Sequence, residues 1–360
     1  MKGMRLLIYT QAVDRHDTIL GFFHGWLGEF ANQCERIDVV CLREGEHDLP
    51  ENVRIFSLGK RHTEKSLLVD RVRHTLRFLF LTARLSWDVD AIFVHMNPEY
   101  VLLGSWLWFP LRKRIILWYT HKSVTLKLRL ASRLVDMVCT ASPESFRLKR
   151  RNLLVTGHGI DTELFSLPRT KPVEFLRMVT IGRISRSKGV HTLISALSLL
   201  PKRGVAYRFT VVGGPVTTDD EAYYSELQAL VKEKQLSEFV HFVGPREGSE
   251  VPKLLAEAYL FLHASNTGSL DKAMLEAMAE RCVVISSNDA ARPILREIHH
   301  ALVVSDPTPE AFADAIQQVD LMDESARTEA GEALRKIVES DHSLRHLITK
   351  ILWIFTQIRK

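Results

Sequence analysis

Thr180-Ile181-Gly182-Arg183-Ile184-Ser185-Arg186-Ser187-Lys188-Gly189 is the stretch on which the reading of this chain turns. It follows the apolar, β-branched run Met178–Ile181 and precedes a helical run, Val190 to Leu200, so it is a strand–loop–helix junction. Arg183, Arg186 and Lys188 crowd the amino end of that helix. The helix dipole disfavours positive charge there by roughly 0.3–1 kcal/mol per group. A bound anion resolves the conflict, because exposed amides, the planar Arg183 fork and the Lys188 point charge then act on one ligand. Without an anion, the same residues read as a solvent-facing basic turn.

Outward from this loop, both halves alternate short strand-like runs with helical stretches, the pattern of parallel α/β sheets. The first half carries Leu6–Tyr9, Ile37–Cys41, Ala91–His95, Ile115–Tyr119, Met137–Thr140 and Leu153–Val155. The second restarts with Met178–Ile181 and continues through Arg208–Val212, Val240–Val243, Leu260–His263 and Val283–Ser286. Pro168, Thr170 and Pro172 mark a linker. The reading is therefore α/β, with two Rossmann-like domains facing across a cleft: residues 1–168, residues 169–340, and a C-terminal helix over 341–360 packing back on the first domain. Ligands of such sheets bind beyond the carboxyl ends of the strands.

A second junction has the same form. After the strand ending at His263 comes Ala264-Ser265-Asn266-Thr267-Gly268-Ser269, with Ser269 expected as a helix cap. The helix Leu270 to Ala279 then carries Asp271, Lys272, Ala273 and, about two turns in, Glu276. Helical side chains lean toward the amino end. Glu276 can thus reach the sheet edge and accept hydrogen bonds from a diol, or it can simply sit on the helix surface. Val211-Val212-Gly213-Gly214 ends another strand in glycines that allow close backbone approach.

Composition excludes several classes. The chain has 360 residues, 46% of them hydrophobic and 25% charged, which suits two folded domains and not a disordered chain. Cys34, Cys41, Cys139 and Cys282 form no CxxC pair and read as reduced, buried thiols in a cytoplasmic setting. The longest apolar run, Val101 to Leu111, contains Pro110 and falls short of the ~20 residues that span a bilayer. Between Leu111 and Arg151 stand eleven Lys and Arg against Asp136 and Glu144. With Trp106, Trp108, Arg112, Lys113 and Arg114, this stretch suggests peripheral contact with a membrane, or else a solvated helix face. Nucleic acid is not expected. Asp88-Val89-Asp90 precedes its strand, the wrong side for a metal-binding pair, and no GxGxxG follows the first strand, which argues against a dehydrogenase.

Met178 to Gly189 resembles the strand–Gly-Arg–loop–Lys-Gly element of retaining GT-B glycosyltransferases of family four (glycosyl transferases group 1). Leu275-Glu276-Ala277-Met278-Ala279 resembles the second half of that family's pair of glutamates separated by seven residues. The resemblance implies that Gly182, Arg183 and Lys188 meet the donor diphosphate and that Glu276 holds the ribose. It also implies that Gly213 and Gly214 approach the donor and that Phe242 and Val243 contact the base. The amides of Lys272 and Ala273 would cap the terminal phosphate. The family's first glutamate falls at Gly268, so Asn266, Gly268 and Asp271 form a variant loop in which Asp271 takes over part of the role. Gly157-His158-Gly159-Ile160-Asp161 resembles the family's Asn-Gly-Val-Asp stretch, with Asp161 capping a short helix. His121, after the strand Ile115–Tyr119, matches the cleft histidine that orients a donor hydroxyl. His95, ending the neighbouring strand, competes for that role. The family often has a glycine-rich loop after the first strand, but here Gln11 to Leu20 has no glycine and Gly21, Gly25 and Gly28 come later, interleaved with Phe22, Phe23 and Trp26, so acceptor recognition is not read from this region.

What the resemblance implies is transfer of a sugar from a nucleoside-diphosphate donor to a glycan or lipid-linked acceptor, without a metal or other cofactor. A non-catalytic sugar-nucleotide-binding regulator and a nucleotide-sugar epimerase of the same fold remain as alternatives.

Overall fold

The computed structural model describes residues 3–17, 20–60, 68–121, 123–170, 174–265, 268 and 270–358. The chain divides into two compact units, Met1–Gly159 with Ser343–Lys360, and Ile160–His342.

The first unit runs β1 (Arg5–Val13), α1 (Phe22–Gln33), β2 (Arg36–Glu44), β3 (Val53–Ser57), α2 (Leu68–Leu85), β4 (Ala91–His95), α3 (Pro98–Trp108), β5 (Arg114–Trp118), α4 (Leu126–Ala131), β6 (Met137–Thr140) and β7 (Leu153–Val155). Its seven strands lie in the order β3-β2-β1-β4-β5-β6-β7, all parallel. The second unit runs β8 (Leu176–Ile181), α5 (Val190–Leu197), β9 (Tyr207–Val212), α6 (Thr218–Glu233), β10 (Val240–Gly244), α7 (Val251–Glu257), β11 (Leu260–His263), α8 (Lys272–Ala279), β12 (Val283–Ser286), α9 (Arg292–Ile298), α10 (Pro309–Asp320) and α11 (Glu324–Asp341). Its parallel order is β10-β9-β8-β11-β12. Each sheet reverses its strand order once, between β1 and β4 and between β8 and β11. Those reversals open the crevices where doubly wound sheets take ligands.

The sequence passes over β3. Val53-Arg54-Ile55-Phe56-Ser57 is a half-exposed edge strand, and Arg54 interrupts its apolar run to bind Asp38 of β2 at 2.6 Å. The division between units falls at Gly159, nine residues before the boundary read at residue 168, because Ile160 and Phe165 belong to the second unit's core. Arg335 of α11 donates to the carbonyls of Thr162 and Phe165 at 3.0 and 2.6 Å, which fastens that segment to the second unit. At the far end α12 (Leu344–Gln357) returns to the first unit. There Leu347, Ile348, Ile351, Leu352 and Phe355 share one core with Trp26, Leu27 and Phe30 of α1. Gly159 has φ +71°, and a Cβ there would run into Leu347 and Trp26, so glycine is required where the chain leaves the unit. Asp161 caps no helix: its carboxylate accepts from the amides of Glu163 and Leu164 in a turn.

Candidate functional site: the carboxyl edge of the second sheet

The loops after β8 and β9 interlock through glycine. Gly182 donates its amide to Val212 O at 3.0 Å, and Gly213 donates to Gly244 O at 2.9 Å. With φ of +151° and +131°, Gly182 and Gly213 sit so close that a Cβ on Gly213 would drive into the Gly182 carbonyl. The glycines therefore serve the packing of loop on loop as well as access to a ligand. Gly214 accepts from Ile184 N–H at 3.0 Å, fixing the turn that carries Arg183. Gly189, at φ +65°, lies where a Cβ would meet Ala264 O at 2.6 Å, so the basic loop is held against the end of β11.

The three cations of the basic loop each have a carboxylate in reach, a feature the sequence reading lacked. Arg183 Nε lies 3.6 Å from Asp220 Oδ2, with half of its side chain exposed. Arg186 binds both oxygens of Glu226 at 2.6 and 2.7 Å and lies 5.0 Å over the Tyr223 ring. Lys188 pairs with Asp271. That last pair joins the loops after β8 and β11 across the switch in strand order.

Asp271 is the hub of this edge. It is the N-cap of α8, accepting from Ala273 N–H at 3.3 Å, so the helix starts at Lys272 and Ser269, outside the described residues, is not its cap. The amide of Ala273 is thereby engaged and not free for a phosphate. Asp271 also lies 3.2 Å from His263 Nε2, and His263 Nδ1 lies 2.9 Å from Ser286 Oγ. Burial alone would raise the Asp271 carboxyl; the His263 hydrogen bond and the Lys188 charge outweigh it and hold the group well below the usual carboxylate range. Ser286 is 1% exposed and its Oγ accepts from Asn288 N–H at 3.0 Å, so the Ser286–His263–Asp271 row is an anchor for Asp271 and no nucleophilic triad. His263 is the residue that sequence reasoning missed. Its position at the last residue of a strand, beside a turn-rich loop, was the available signal.

Glu276 sits little more than one turn into α8, and its Oε1 is 3.4 Å from Lys272 Nζ. Burial pushes the Glu276 carboxyl up and the Lys272 ammonium down, and each charge partly offsets the shift of the other. Gly268 has φ +67°, a left-handed conformation that favours glycine over the glutamate of the family pattern. Asn266 lies outside the described residues. Phe242 is half-buried at the end of β10 and meets Tyr224 edge-on at 5.3 Å, and Val243 beside it is half-buried too. Gly182, Arg183, Lys188, Gly213, Gly214, Gly268, Asp271, Lys272, Ala273 and Glu276 thus all lie on the loops and helix starts at one edge of one sheet.

In the first unit, His121 is exposed and its Nδ1 accepts from Ser123 N–H at 3.0 Å. His95 is 1% exposed and stacked on Phe23 at 4.1 Å, with Trp26 and Trp118 around it, so it is a core residue. Trp108, read as part of a membrane-facing stretch, is fully buried and donates to Ser86 Oγ at 3.0 Å. Asp88 and Asp90 are bound to Arg5, and Asp88 to Arg36 as well. A cavity of about 1030 Å³ opens beside the ends of β1 to β5, between α2 and α4, lined among others by Lys60, Arg71, Phe78, Tyr119 and Lys127. The four cysteines are buried thiols. No described helix is long and apolar enough to cross a membrane.

Residues 165–337 match the family model described as glycosyl transferases group 1. Escherichia coli WcaL, named as a colanic acid biosynthesis glycosyltransferase, is 28% identical over 201 residues, 53% of this chain and 48% of WcaL. The amylovoran biosynthesis glycosyltransferase AmsK of Erwinia amylovora is 30% identical over 154 residues, 40% of this chain and 35% of AmsK. The chain thus spans less than half the length of these relatives. Among solved structures, Anabaena HepE in complex with UDP and glucose superposes with a TM-score of 0.73 at 18% identity, covering 99% of this chain and all of HepE. These neighbours give the fold: two Rossmann-like units of GT-B type.

Proposed function

We propose, from the match of residues 165–337 to the glycosyl transferases group 1 family model, that this chain transfers a sugar, with retention, from a nucleoside-diphosphate sugar to a hydroxyl of a glycan or lipid-linked glycan. The observation that carries the reading is the Lys188–Asp271 pair across the switch point of the second sheet. It sets an ammonium, already oriented by a half-buried carboxylate, where a diphosphate would arrive. Arg183, half exposed, supplies the second cation. Glu276, half-buried little more than one turn into α8, is the acceptor for the ribose diol.

In the reaction, the bond from the anomeric carbon to the diphosphate oxygen breaks as the bond to the acceptor oxygen forms on the same face. The acceptor's proton passes to the departing oxygen. Charge grows on the leaving diphosphate, and Lys188, Arg183 and the loop amides stabilise it, so the reading needs no metal or cofactor. His121 orients a hydroxyl of the transferred sugar. The UDP bound by HepE makes uracil the first base to test. Buried thiols fit a reducing, cytoplasmic place of action.

The test is a thermal-shift series with UDP, GDP and their glucose conjugates, followed by product analysis with a radiolabelled donor. A ligand at 100 times its dissociation constant adds about 2.7 kcal/mol of stability. No shift with any nucleotide sugar refutes the proposal. Binding without transfer or hydrolysis would turn it into a sugar-nucleotide-sensing role.

A further inference from the structure

Helix α2 of the first unit is apolar on two opposite faces. Its inner face buries His74, Phe78, Leu81 and Leu85. Its outer face displays Leu68 at 77%, Val69 at 76%, Val72 at 50%, Leu76 at 62% and Phe80 at 64% exposure. Residues 68, 72, 76 and 80 recur every fourth position, so they form one stripe along the helix. Single exposed apolar residues are ordinary on a protein surface, but a continuous stripe of this length marks a contact. The turn after α2 and helix α3, both packed against α2, carry two further exposed rings, Trp87 at 68% and Trp106 at 58% exposure.

The flanks of the stripe state what covers it. At 100° per residue, Arg73, Arg77 and Arg84 follow one border and Arg71 the other, while Asp70 is the helix's sole acidic residue and lies against Arg73 at 3.4 Å. A protein partner for a stripe this apolar needs a complementary shape. An anionic bilayer needs only a large apolar face rimmed by cations and by interfacial tryptophans. Trp87 and Trp106 supply the aromatic rim.

We propose that α2 is a peripheral membrane-docking helix whose outer face inserts into the headgroup region of an anionic bilayer. The proposal deepens the functional reading above, since the first-unit cavity lined by Arg71 and Lys60 then opens beside the lipid surface, within reach of a lipid-linked acceptor. It also relocates the contact that sequence alone assigned to Trp106, Trp108 and Arg112 to Arg114.

The experiment is flotation of the full chain with vesicles of phosphatidylcholine alone and of phosphatidylcholine with phosphatidylglycerol, at low and high salt, alongside light scattering without lipid. The native chain is expected to float with the anionic vesicles at low salt, less at high salt, and not with the neutral ones. Leu76→Ser with Phe80→Ser, both outward-facing and away from the cavity lining, should abolish flotation and leave UDP-induced thermal stabilisation unchanged. Arg84→Ala should weaken partitioning about fivefold. Absence of flotation by the native chain, equal binding to neutral vesicles, or a lipid-free dimer that the double substitution dissociates would overturn the proposal. Retained UDP binding in any of those cases leaves the functional reading standing; loss of UDP binding by the native chain is failure of that reading instead.

Discussion

The two sheets reverse their strand order in the same way, yet their carboxyl edges are built from opposite materials. At β8 and β11 the crevice is walled by glycines and ion pairs, with Lys188, Asp271 and His263 linked in a row. At β1 and β4 the corresponding ground is filled by rings: His95 stacks on Phe23, and Trp26 meets Trp118 at 4.9 Å. A charged edge keeps its polar atoms ready for a ligand and relies on carboxylates to hold the cations apart until one arrives. The rings close the ground around His95, and the first unit's cavity opens to one side of them, between α2 and α4. The same topology thus carries a charged edge in one unit and a ring-packed edge in the other.

The contrast breaks first under core deletion. Trp26 is 1% exposed and shared by α1, β5 and α12 through the first unit's core. Trp26→Ala should cost about 3–5 kcal/mol in denaturant unfolding and leave the UDP affinity of folded protein unchanged. Lys188→Ala should do the reverse. With an electrostatic contact to the leaving group gone, kcat/KM should fall about 100- to 1,000-fold, while the protein still folds because Asp271 keeps His263 as a partner. A Lys188→Ala enzyme of native activity would remove the charged edge from the mechanism. Glu280 sharpens the picture further from the site. It is fully buried beyond the end of α8, and burial raises its carboxyl to about 7, with Arg169, Arg281 and Arg335 offsetting only part of that cost. The unfolded chain releases this proton near the usual glutamate value, so native stability falls as pH rises from there through about 7. Glu280→Gln should therefore stabilise the protein at pH near 8 by about 3 kcal/mol and flatten that decline, as chemical unfolding at several pH values would read.

What was legible in the sequence follows the same division. The second sheet is readable because β8, β9 and β10 each run into a glycine and the loop after β8 carries three cations whose partners lie far along the chain. The basic loop and the Glu276 helix therefore stand out without a structure. The first unit hides its details. An edge strand broken by Arg54 escapes a search for apolar runs, and α3 is apolar on nearly every side from Val101 to Trp108, so periodicity cannot tell the exposed Trp106 from the buried Trp108. The outer stripe of α2 was masked because a helix apolar on two faces reads like any core helix. The carboxylates opposite the cations were invisible for another reason: Asp220, Glu226 and Asp271 lie 37, 40 and 83 residues from their partners, a separation no local pattern spans.

The smallest expected effect discriminates most finely within the charged edge. Arg183, Arg186 and Lys188 look equivalent in sequence, yet of the two arginines that reach carboxylates of α6 only Arg186 is gripped, through both oxygens of Glu226 and over the Tyr223 ring, while Arg183 stays 3.6 Å from Asp220. Its pair is well exposed, and such pairs contribute about 0–1 kcal/mol. Arg186→Ala should thus shift the unfolding free energy by less than about 1 kcal/mol, and UDP affinity should stay at its native value while Arg183→Ala and Lys188→Ala lower it. If Arg186→Ala weakens UDP binding as much as Lys188→Ala does, the guanidinium leaves Glu226 for the ligand. The basic loop would then act as three interchangeable charges, not as a shaped site with one structural and two ligand-facing members.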